Sequence, residues 1–197
     1  MAPENWSLQE LLNAGWREED LAWEATAERT ADAAAKEDNI GAKDEAGEAL
    51  RLARATFEPI DPRLGTSLAN FGICLSLAGD KQGFSSLIEK ALESWRGATL
   101  WIARMEAPRV ARSSLFHLRM ETLHRDTYRT LWRKRWNEIA ADATKRLSAL
   151  NANEVSIVAP ESDVTELWRR ERPAMLNDTR KLIAAASLLL APPVKDG

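Results

Sequence analysis

Apolar positions recur with helical spacing along almost the whole chain, and β-branched runs are nearly absent. A short helix is predicted over 7–13, with Ser7 and Glu10 spaced as a capping box and Gly15 as its stop. A longer one over 18–38 carries Ala27, Ala31, Ala34 and Ala35 on one face and charge on the other, and Asn39-Ile40-Gly41 reads as the turn after it. A third helix over 43–57 aligns Ala46, Leu50, Ala53 and Phe57, and the Pro59–Pro62 stretch ends it because proline cannot continue a helix. The fourth begins with Pro62 in its first turn and runs to Ala78, with Leu64, Leu68, Phe71 and Cys74 or Leu75 facing inward; Gly79-Asp80 is the next turn.

The fifth helix, over 81–95, places Phe84, Leu87, Ile88, Ala91, Leu92 and Trp95 on one face, and 99–105 is read as a separate short helix. From Arg109 the pattern gives two helices or one kinked one, its second part marked by Tyr128, Leu131 or Trp132, Trp136, Ile139, Ala143, Leu147 and Leu150. Residues 151–160 are strand-like at Val155, Ile157 and Val158 but too few for a sheet. Asp163 and Glu166 cap a further helix, Pro173 divides it from a last one ending at Ala191, and 192–197 form a tail. The predicted class is all-α: one domain over 1–191, built of antiparallel helix pairs with extra C-terminal helices.

Helix pairs at this spacing prompt a search for internal repeats. Residues 65–96 carry Leu68, Phe71-Gly72 and Leu75 in the first helix, Gly79-Asp80 at the turn, and Ile88, Ala91 and Leu92 in the second. This segment resembles a tetratricopeptide (TPR) repeat, and a weaker copy precedes it with Ala33-Ala34, Gly41, Ala46, Leu50 and Ala53. The resemblance covers about 23–96, with 99–191 as a helical extension. It departs from the family in having Phe84 where Ala is preferred, Arg96 in place of the terminal proline, and no third repeat. An irregular helical bundle accounts for the same residues. The resemblance implies an adaptor, co-chaperone or assembly factor that holds a peptide on the concave surface of its first helices. Here that surface would be Thr66, Ala69, Ile73 and Ser76, with Glu28, Ala31, Ala35 and Asp38 from the earlier pair. Ala69 and Ile73 stand where some members of the family have the Lys and Asn of a carboxylate clamp, so that clamp is not expected.

Composition narrows the class. At 45% hydrophobic and 29% charged, the 197-residue chain is globular, and its length suffices for one core without metal or disulfide staples. Its longest apolar run, Ala184 to Ala191, is too short to span a bilayer. The opening Met1–Trp6 has neither the basic nor the apolar part of a secretory signal, and Cys74 is the single cysteine. A cytoplasmic protein is therefore expected. Eight Trp against one Tyr mark large anchors at packing seams or at an interface. Charge is polarised: residues 1–60 have fourteen acids and six bases, net −8, and residues 96–146 have twelve bases and five acids, net +7. Such a molecule steers charged partners, or folds its acidic part back on its basic part.

Three constellations bear on function. His117, Glu121 and His124 fall within about 60° of one helical strip and have metal-competent groups. A di-iron site needs a second Glu-x-x-His and two more carboxylates, and the chain has two histidines in all. Surface pairing of Glu121 with His and Arg125 is the plainer reading, and no cofactor is expected. Next, Arg125, Arg129, Arg133, Lys134 and Arg135 interleave with Tyr128, Trp132 and Trp136, a pattern that suits an acidic protein surface. It also occurs in nucleic-acid binders, but net charge −3 and pI near 5.6 lack their footprint. Finally, Glu18-Glu19-Asp20 reads as a helix start complementing the dipole, and phosphate loops and nucleophile elbows are missing. The expected function is a non-catalytic interaction module, an adaptor or assembly factor whose partner-binding residues are Thr66, Ala69, Ile73, Ser76, Arg125, Arg129 and Arg133. A small metalloprotein or enzyme using His117, Glu121 and His124, and a regulator touching nucleic acid, are the rival readings. Homo-oligomerisation stays open.

Overall fold

The computed structural model describes residues 17–104 together with Gln9, Leu12, Leu123, 126–127, 129–134, 136–138, Ala141, Thr144, Lys145 and Leu147. Four helices make up the continuous part: α1 (Glu18–Ala35), α2 (Asn39–Thr56), α3 (Pro62–Leu77) and α4 (Phe84–Arg104). The described residues between 123 and 147 are helical as well. Among the described residues there is no strand, and the all-α class holds. The expected 7–13 helix is represented by Gln9 and Leu12, both helical. The readings for 151–197 lie outside the described residues.

Successive helices pack on one another, α1 on α2, α2 on α3 and α3 on α4. The seams are made of small side chains. On α2, Ala42, Ala46, Ala49 and Ala53 are all buried and recur at helical spacing, so neighbouring backbones approach closely. On α3, a Cβ at Gly72 would stand 3.3 Å from the Leu87 Cβ, and at Gly65 it would overlap the Trp95 ring and reach within 3.0 Å of the Ala91 carbonyl. Ala91 is fully buried at this crossing, and the Trp95 indole N–H donates to the Pro62 carbonyl at 3.1 Å. Gly79 has φ +86°, as its place in the turn requires.

Two boundaries differ from expectation. Asn39-Ile40-Gly41 is the first turn of α2: the Asp38 carboxylate caps it, accepting from the Gly41 N–H at 2.9 Å. The connection is Lys36–Asp38, where Glu37 takes φ 60° without a glycine. The separate 81–95 and 99–105 helices are one helix, beginning at Phe84 after Gly83 (φ +81°). Gly97 does not break it, because a Cβ there would meet the Ile60 side chain at 3.3 Å; the glycine is where the connection before α3 presses on α4.

Candidate functional site

Arg63 is the one charged residue among the sixteen of α3, and it is 1% exposed. Its guanidinium holds Asp61 through two nitrogens, at 2.6 and 3.0 Å, and reaches Asp20 of α1 at 2.6 Å. Asp61 caps α3 at the same time, accepting from the Arg63 N–H at 3.0 Å. Asp20 also takes a two-nitrogen contact from Arg17, at 2.8 and 3.0 Å, which raises the Arg17 pKa, chiefly by that hydrogen bond. Aromatic rings close the cluster. Arg63 lies 3.6 Å over the Phe57 ring, Phe57 meets Trp23 edge-on at 5.6 Å, and Trp23 donates to the Ser67 hydroxyl at 2.8 Å. Two carboxylates thus face two guanidiniums, a balanced group that clamps α1 to α3. Asp20 is therefore no mere helix-start charge. One signal in the sequence pointed here: a lone arginine in an otherwise uncharged, largely apolar helix needs a buried counter-charge.

The second place is the helical stretch near residue 131. Trp136 is 1% exposed and meets Trp95 of α4 edge-on at 6.2 Å; Leu147 is buried and Trp132 partly so in the same core. Arg129, Trp132 and Trp136 share one helical face, the face that docks. The opposite face carries Leu131, Lys134 and Glu138, all exposed, with Leu131 at 61%; Leu123 is exposed as well, at 59%. Arg133 is exposed on the flank, and Arg129 is half-buried. This face thus sets exposed leucine beside both a base, Lys134, and an acid, Glu138, and the stretch is anchored from behind by Trp132 and Trp136.

Thr66, Ala69, Ile73 and Ser76 are buried, Ala69 and Ile73 completely, so these positions of α3 face packed neighbours and do not line an open groove. The physical reason is that α3 packs against both α2 and α4 and is held to α1 by Arg63 and Ser67. Of the earlier pair, Glu28, Ala35 and Asp38 are exposed and Ala31 half-buried. Arg125, His117, Glu121 and His124 lie outside the described residues. Among the described residues no group of three or more His, Cys, Asp or Glu is placed to hold a metal ion, and no helix is long and apolar enough to cross a membrane. Burial pushes the Cys74 thiol up to about 12, which keeps it protonated and unreactive.

No family model matches the chain, and neither a curated protein nor a solved structure matches it.

Proposed function

We propose that this chain is a non-catalytic protein-interaction module, a cytoplasmic adaptor or assembly factor with TPR-like helix pairs, whose binding face is the ridge of Leu123, Leu131 and Lys134. The observation that carries the reading is the pair of exposed leucines, 59% and 61%, on a helical stretch whose other face is anchored by buried Trp136. Large apolar side chains held outward on an anchored helical stretch, with Lys134 and Glu138 beside Leu131, suit a protein surface that is apolar at its centre and charged at its rim. The packed interior of α3 supports this placement over a groove between first helices.

The test compares proteins captured from a native extract by the immobilised parent and by Leu131→Ser/Arg133→Glu/Lys134→Glu. All three positions are exposed, so thermal stability should stay within about 0.5 kcal/mol of the parent. The expected result is a discrete captured protein, weakened by salt and lost in the variant. Capture unchanged by the triple substitution would overturn this choice of face.

A further inference from the structure

The contacts of α1, α2 and α4 account for three sides of α3. Phe71 turns to α2, where a Cβ at Gly47 would stand 3.3 Å from its ring; Arg63 and Ser67 reach α1; Gly65 and Gly72 admit α4. At helical spacing Thr66 and Ile73 fall on the fourth side, with Ala69 at its edge, and all three are buried. A second surplus of burial lies on α4. Trp95 meets the first turn of α3 through the Pro62 carbonyl, and Ala98 and Ile102 lie about one and two turns further along, yet both are fully buried. Trp136 and Leu147 belong to the same apolar core as these residues, and the edge-on contact with Trp95 places Trp136 over the α3–α4 seam. The stretch that carries them is surface on its other sides, where Thr130, Leu131, Arg133, Lys134, Asn137 and Glu138 are exposed. Its hold on the core is also incomplete. The buried indoles of Trp23 and Trp95 donate to the Ser67 hydroxyl and the Pro62 carbonyl, whereas the equally buried Trp136 N–H has no hydrogen-bond partner among the described residues. An unmet donor weakens the contact that buries it.

We propose that the stretch around Trp136 is a displaceable occupant, within one chain, of an acceptor surface on α3 and α4, and that this surface takes an amphipathic helix of a partner protein. The resident stretch defines the chemistry of that partner. Trp132 and Trp136 stand four residues apart on the docking face, so the partner helix carries two large aromatic side chains at the same spacing. While the stretch is seated, the affinity for such a helix is reduced to the fraction of molecules in which it has lifted. The contact is thus autoinhibitory, and the surface it covers is separate from the outward Leu131 face.

The probe is a fluorescent peptide with the sequence of residues 123–150, titrated into full-length protein and followed by anisotropy. A Trp132→Ala/Trp136→Ala peptide of the same charge is the control. The full-length Trp136→Ala variant, its own stretch undocked, should bind the unsubstituted peptide at least about tenfold more tightly than the parent does. Trp136→Phe, still docked, should bind it as weakly as the parent, and the control peptide should bind none of the three. Equal binding by parent and Trp136→Ala, binding by neither, or binding of the control peptide overturns the proposal. Hydrogen exchange on the parent alone decides the matter if Trp136→Ala fails to fold. Amides of the described residues from 129 to 147 should then exchange at least about tenfold faster than those of α3. Protection equal to that of α3 would mean that the stretch leaves only when the whole molecule unfolds, and would overturn the proposal. None of these outcomes touches capture of a protein by the Leu131 face, so the two readings fail separately.

Discussion

Individual residues in this molecule are chosen for the space they leave. A methyl added at Gly65 meets the Trp95 ring and the Ala91 carbonyl, whereas one added at Gly72 meets the Leu87 Cβ at 3.3 Å, where a small shift suffices. Gly65→Ala should therefore cost roughly 1–3 kcal/mol, and Gly72→Ala clearly less, in urea unfolding; equal losses would contradict the packing described. Ala91→Leu belongs with Gly65→Ala, since Ala91 is fully buried at the same crossing. Arg63 is the opposite kind of residue, one that fills. Arg63→Ala leaves Asp20 and Asp61 buried against Arg17 alone and should cost roughly 3–5 kcal/mol. Cys74 gives a prediction in pH. Its pKa rises from 9.0 to about 12 on burial, so the folded state keeps the proton that the unfolded chain releases. Its contribution is complete below pH 9 and is lost as pH climbs towards about 12, by roughly 1.4 kcal/mol per unit. The stability advantage of the parent over Cys74→Ala should shrink over that range; a constant difference would show an ionisable thiol in the folded state.

Elements owe their ends to contacts that a linear pattern conceals. Glycine has two uses here, and periodicity cannot separate them: Gly79 and Gly83 adopt positive φ, while Gly97 and Gly72 sit inside helices to admit a neighbour. The break expected near Gly97 is absent for that reason, and the α2 start was hidden because Asn39-Ile40-Gly41 has the composition of a turn. Helix existence, by contrast, was legible, since the inward stripes of α2, α3 and α4 are long and regular. The helical stretch around Trp136 offers the test at this scale. Trp136→Ala should cost roughly 3–5 kcal/mol and undock the stretch from α4. Trp136→Phe keeps a ring against Trp95 and removes an indole N–H that has no hydrogen-bond partner among the described residues, so it should cost under about 1.5 kcal/mol. Near-ultraviolet circular dichroism, sensitive to coupled tryptophans, would distinguish the two; a harmless Trp136→Ala would place that residue outside the core.

At the scale of the whole molecule, a row of helices packed on chain neighbours was readable from the pairing of apolar stripes, but its clamp was not. Asp20 and Arg63 are 43 residues apart, and their meeting depends on how α2 turns the chain back. For the same reason the surface was legible only in part: Arg133 is exposed, whereas Thr66, Ala69, Ile73 and Ser76, whose spacing suggests a groove, are buried against neighbouring helices.

The clamp also has a consequence in time. Contacts between adjacent helices close short loops and form early, whereas a bridge across 43 residues pays a larger closure entropy and is expected after the rate-limiting step. Removing it should then act on one limb of the folding kinetics. In a chevron measurement, Arg63→Met should raise the unfolding rate by most of its equilibrium destabilisation and leave refolding close to that of the parent. Refolding slowed in proportion would put the bridge in the nucleus instead. A late-forming clamp works as a latch: it adds little to how quickly the chain finds its fold and much to how long the fold lasts.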